Sequence, residues 1–105
     1  MKYLIKASYN SEGVKGLLKA GGTNRKQAVE EMIKSLGGKL DCFYYSFGEH
    51  DVYAISSLPD TASAAAIALT INASGLVSVS TTVLIDPEEI DKAKDISVNY
   101  RTPGS

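Results

Sequence analysis

Phe43-Tyr44-Tyr45-Ser46-Phe47-Gly48-Glu49-His50-Asp51-Val52-Tyr53-Ala54-Ile55 sets an aromatic strand, a short polar turn and a second strand in succession. Apolar residues on both sides of a glycine-containing turn are the pattern of a β-hairpin, with Gly48 free to take the positive φ that a tight turn requires. The two strands are expected over Lys39–Phe47 and Asp51–Leu58. The same stretch carries the only histidine of the chain, flanked by Glu49 and Asp51 and surrounded by Tyr44, Tyr45 and Tyr53. Chemistry, if the protein has any, is therefore expected at the hairpin tip.

On the N-terminal side, Tyr3, Ile5, Ala7 and Tyr9 alternate with Lys2, Leu4, Lys6 and Ser8, the period of a strand with one richer apolar face. Asn10 or Ser11 can cap a helix carrying Val14, Leu17 and Leu18, which Gly21-Gly22 ends or bends. A second helical piece is expected from Asn24, which forms a capping-box pattern with Gln27, to Gly37-Gly38; Val29, Met32, Ile33 and Leu36 make its apolar stripe. The two pieces read as one kinked helical layer. On the C-terminal side, Asp60 is a good N-cap for an alanine-rich helix over Thr61–Ala73, and Ser74-Gly75 breaks it. Leu76–Ile85 is rich in valine and threonine and reads as a strand, with Leu76, Ser78, Ser80, Thr82 and Leu84 suited to a semi-polar cavity wall. Asp86-Pro87-Glu88-Glu89 starts a short helix running to about Lys94. Asp95–Ser105 reads as an extended tail in which Val98 and Tyr100 pack on one side.

The resulting order predicts an α+β, ferredoxin-like βαββαβ fold with a four-stranded antiparallel sheet, helices on one face, and a short C-terminal helix and tail. At 105 residues and 44% hydrophobic content, residues 1–105 are expected to form a single domain with a core that needs no metal or disulfide. Helices cover only one face of such a sheet, whereas apolar side chains occur on both: Phe43, Tyr45 and Phe47 alternate with Leu40, Cys42 and Tyr44. Pairing with a second copy is the simplest cover for the open face. The helix over Thr61–Ala73 has no charged residue, which suggests that a second surface covers it too.

The net charge of −1 gives no overall attraction to nucleic acid or anionic membrane, although residues 1–39 carry eight basic and three acidic side chains and residues 40–105 carry three and nine. The uncharged span Thr61–Ile85 holds too few helical residues to cross a bilayer, which takes about 20. Cys42 is the only cysteine. No internal disulfide is available, the N-terminus lacks the pattern of a secretory signal, and a cytoplasmic location is expected.

The chain resembles the GYD-domain family, which belongs to the dimeric α/β-barrel, ferredoxin-like group. The resemblance is carried by Glu12-Gly13-Val14, Leu17-Leu18, Ser35-Leu36-Gly37-Gly38-Lys39, Phe43-Tyr44-Tyr45-Ser46-Phe47-Gly48, Asp51-Val52-Tyr53, Thr81-Thr82-Val83-Leu84, Pro87-Glu88-Glu89 and Ser97-Val98-Asn99-Tyr100-Arg101. Gly48 and Asp51 match the family signature, and His50 stands where its tyrosine would be. The resemblance implies the fold and oligomerisation, and no particular reaction.

Among the candidate site residues, His50 can serve as a general base or ligand contact because both its protonation states exist near neutrality; the alternative is a solvated turn histidine. Asp51 beside the glycine turn suits a structural cap through its own backbone. Tyr44, Tyr45 and Tyr53 can line a pocket with phenol hydrogen bonds, or simply pack across strands. Glu49, His50 and Asp51 are consecutive and point in different directions, so no metal site and no cofactor are expected. Cys42, in an apolar strand, reads as an inert packing group. Gly13, Gly16, Gly21-Gly22 and Gly37-Gly38 lack a phosphate-binding arrangement, and Lys15, Lys19, Arg25, Lys26 and Lys34 read as a solvated face rather than an RNA platform. The leading expectation is a cytoplasmic homo-oligomer binding a small organic molecule between the open sheet face and the hairpin through Tyr44, Tyr45, Gly48, His50, Asp51 and Tyr53. The alternatives are a cofactor-free oxygenase or isomerase with His50 as base, and a structural or regulatory interaction module without a ligand.

Overall fold

The computed structural model describes residues 1–105. Its elements are β1 (Lys2–Tyr9), α1 (Ser11–Ala20), α2 (Gly22–Ser35), β2 (Lys39–Tyr45), β3 (Val52–Ser57), α3 (Thr61–Ala73), β4 (Val77–Leu84) and α4 (Pro87–Lys94). The strands form one antiparallel sheet in the order β2-β3-β1-β4, consistent with the expected ferredoxin-like α+β arrangement.

Strand alternation sorts the side chains. Tyr3, Ile5 and Ala7 of β1 lie opposite Ser56, Ala54 and Val52 of β3, and all six are buried. Helices cover this face. α2 packs over β2 and α3 over β4; Ile33 and Ile67 reach down from them into the core. The gap between the two helices, above the middle of the sheet, is an apolar cavity of about 270 Å³. The opposite face presents Lys2, Leu4, Lys6 and Ser8 of β1, with their cross-strand neighbours, and no helix covers it.

A β-bulge between Leu40 and Cys42 corrects the expected alternation in β2. The extra residue, Asp41, shifts the register, so Leu40 joins Phe43 and Tyr45 on the helix side while Cys42 and Tyr44 face away. The Asp41 carboxylate accepts hydrogen bonds from Ser57 at 2.7 Å and from the Lys2 ammonium at 3.1 Å, tying β2 to β3 and β1. The Ser57 bond holds its pKa below the usual carboxylate value, against desolvation and with help from Lys2.

The helix ends follow local chemistry. The Asn10 side chain accepts from the Gly13 amide at 2.9 Å and caps α1. α1 and α2 are separated by Gly21 alone, whose φ of 85° ends one helix and admits the next. Asn24 is therefore not a cap: helix α2 begins earlier, at Gly22, and the Asn24 amide instead donates to the Ala20 carbonyl at 2.8 Å, across the kink. A Cβ on Gly13 would press into the Leu76 carbonyl oxygen, so the close approach of α1 to the start of β4 requires glycine there. Asp60 caps α3 by accepting from the Ser63 amide at 2.7 Å. Near the other end of α3, the Asn72 side chain accepts from the Val79 amide at 2.7 Å and donates to its carbonyl, satisfying both backbone groups of one β4 residue.

The C-terminal region departs from a compact domain. Every residue from Ser80 to Ser105 is exposed, including Ile85, Ile90, Ile96, Val98 and Tyr100. The expected packing of Val98 and Tyr100 does not occur within the chain. The radius of gyration is 17.1 Å, against about 13 Å for a compact chain of this length. α4 and the tail form an arm in which every residue is exposed.

Candidate functional site

The hairpin strands are shorter than expected, ending at Tyr45 and resuming at Val52, so the connection is a longer loop than a tight turn. The Ser46 amide donates to the Asp51 carbonyl at 2.9 Å and closes it. Gly48 does not take a positive φ, because a loop of this length turns without one; its amide instead donates to the Ser46 hydroxyl at 3.2 Å. Phe47, at the tip, is fully exposed.

Asp51 is structural, though not by capping its own backbone. Its amide donates to the Ala7 carbonyl at 2.8 Å, and its carboxylate accepts from the Tyr9 amide at 2.8 Å. The loop is thereby fastened to the end of β1. That anchorage places His50 over the uncovered sheet face, where its Nδ1 lies 3.3 Å from the Ser8 hydroxyl. The imidazole meets the Tyr53 ring edge-on, with centroids 5.8 Å apart. Glu49 stays in solvent, its carboxylate 4.0 Å from Nε2, beyond hydrogen-bonding distance.

Tyr53 pairs with Tyr44 on β2 and with Lys6 on β1, which in turn pairs with Ser80 on β4. A row of Tyr44, Tyr53, Lys6 and Ser80 thus crosses all four strands on the open face, with His50 and Ser8 above it. Ser78, Ser80, Thr82 and Leu84 also lie on this face; Leu76, expected with them, precedes the strand. The arrangement offers phenols, hydroxyls, an imidazole and an ammonium to a polar or aromatic molecule. Cys42 shares the face, half-buried and unbonded to another cysteine.

Tyr45 is separated from the other candidates. It points to the helix side, packs edge-on against Phe43 at 5.2 Å and donates from its hydroxyl to the Gly22 carbonyl at 2.9 Å. Burial pushes its phenol pKa up, Tyr9 adds to the rise and Arg25 opposes it.

The structure thus gathers Tyr44, His50 and Tyr53, uses Gly48 and Asp51 as frame, and sends Tyr45 elsewhere. Ser8 and Lys6 are the residues the sequence reading did not single out. The signal was present, since the β1 alternation places both opposite the core-facing set. His, Cys, Asp and Glu side chains form no group of three able to hold a metal ion, and no helix is long and apolar enough to cross a membrane.

Comparison with curated proteins and with solved structures gave no match. A family model, that of the GYD domain, matches residues 3–93. This span takes in the sheet but for Lys2, the three helices before α4, nearly all of α4 and the hairpin that carries Gly48 and Asp51; the chain belongs to the GYD-domain family.

Proposed function

We propose that the protein is a homo-oligomer that binds a small organic molecule at the uncovered sheet face, beside the hairpin loop. The observation carrying this reading is the setting of His50. Its ring is held by Ser8 and Tyr53 on the same face as Tyr44 and Lys6, rather than left in solvent as a turn histidine. Such a mixed aromatic and polar patch becomes a site when a second surface closes over it and excludes water. A second copy is that surface. The apolar side chains of the arm find no cover within their own chain, which supports an assembly in which they pack on a partner. A free Cys42 is in keeping with a reducing, cytoplasmic setting.

Native mass spectrometry of the purified protein tests both parts. The expected result is a species at twice the 11.2 kDa chain mass carrying a small adduct. The identified adduct should bind His50→Tyr with altered affinity, because the phenol replaces the imidazole that lies against Ser8 and Tyr53. A monomeric mass, or equal binding by both proteins, would refute the reading.

A further inference from the structure

The cavity between α2 and α3 lies on the other side of the sheet from His50, and it has the composition of a ligand site. Ala7, Val52 and Ala54 form its floor, and Met32, Ile67 and Ile71 its walls; fourteen of its fifteen lining residues are hydrophobic. Arg25 is the exception. It also lines a second cleft, beside α1, so its side chain lies at the edge of the apolar cavity, where the two adjoin.

The guanidinium is uncommitted. None of the ion pairs in the molecule includes Arg25, and Glu12, the acid sharing its cleft, is engaged by Lys15 at 3.0 Å. No acidic side chain lies in the first turn of α2 to offset it. Tyr9 lines the same edge, and Tyr45, beside Arg25, is fixed by its bond to the Gly22 carbonyl. An unpaired, planar, permanently charged donor at the edge of an apolar space is suited to one carboxylate, held through two parallel hydrogen bonds.

We propose that this cavity binds a small amphipathic monoanion, its aliphatic or single-ring apolar part between the helices and its carboxylate on Arg25. The volume limits the occupant, since about 270 Å³ falls just below the range of about 300–1,000 Å³ that holds drug-sized ligands. A single guanidinium neutralises one negative charge, which favours a carboxylate over a phosphate monoester. This site is independent of the open-face reading and stands or falls without it.

Titration of the full-length ¹⁵N-labelled protein with sodium octanoate, followed by amide chemical shifts, tests the proposal. Saturable shifts are expected at Ala7, Ala54 and Ile67. Arg25→Gln should weaken octanoate binding roughly ten- to a hundredfold, the value of a charge-assisted hydrogen bond, with Arg25→Lys falling between. Octan-1-ol should bind wild type and Arg25→Gln alike. A Val29→Phe variant, which fills the cavity from α2, should lose both ligands; should it not fold, the Arg25 series alone decides. Equal octanoate affinity in wild type and Arg25→Gln would overturn the proposal, as would shifts confined to the Ser8, His50 and Tyr53 face. Absence of saturation at about 10 mM octanoate would do the same. Should octanoate bind only after the C-terminal tail is removed, the occupant is a second copy's tail, and the proposal is wrong.

Discussion

Asp51 engages three other residues: its amide donates to Ala7, its carbonyl accepts from Ser46 and its carboxylate accepts from Tyr9. Removing the carboxylate leaves the half-buried Tyr9 amide without its acceptor while adding no new contact. Asp51→Ala is therefore expected to cost about 1–3 kcal/mol of stability, and Asp51→Asn, which keeps an acceptor oxygen, clearly less. Urea unfolding midpoints of the two variants check the ranking, and equal stability to wild type would show that the Tyr9 bond contributes nothing. The role of Asp51 was only half legible in the sequence. An Asp next to a turn suggests a local cap, and nothing in its neighbourhood announces an acceptor for a strand 42 residues away. Tyr45 was misleading for a related reason. Its type suits a ligand contact, but a single step along the strand from Tyr44 sends it to the opposite face. His50 and Tyr53 were legible as neighbours; Ser8 required knowing that β1 and β3 pair.

Among the elements, local signals determined most of what was readable. Pro87 after Asp86 and Asp60 before an alanine run marked α4 and α3 at their observed starts, because caps and proline act within a few residues. The Asn24 pattern failed because Gly21 alone breaks the chain between α1 and α2, so the second helix begins before the capping pair. The Asp41 bulge was invisible, since an unpaired residue in a strand is defined by its partner strand. Its network has a testable pH signature. The folded-state pKa of Asp41 is lowered, first by the Ser57 hydrogen bond and against desolvation. A carboxylate of this kind contributes stability above its unfolded value, about 3.9, and that contribution disappears as pH falls through the lower folded value. The stability difference between wild type and Asp41→Asn should accordingly be constant above about pH 5 and shrink below about pH 4. Urea midpoints measured for both proteins across that range would refute the assignment if the difference did not change.

For the molecule as a whole, the arm from Asp86 onward is the feature a monomer explains least. A chain ended after Ile85 retains every strand together with α1, α2 and α3, and loses only exposed residues. It should keep the far-ultraviolet circular dichroism of a folded α+β chain, less the contribution of α4, and assemble from fewer copies than the full chain at equal concentration, read as light-scattering mass divided by chain mass. An unchanged number of copies would restrict any contact between copies to the sheet. The topology carries a different consequence, for synthesis. β1 is made first and lies in the interior of the sheet, yet both its partners come late: Lys2 pairs with Ser57 and with Leu84. A nascent chain leaving the ribosome therefore holds its central strand unpaired until β3 has emerged, and paired on one side only until β4 follows. Loop closure over such separations is slow relative to helix formation. α1 and α2 will be formed and waiting before the sheet they rest on exists, and it is in that interval that Tyr3, Ile5 and Ala7 are most open to chaperones or to the wrong partner.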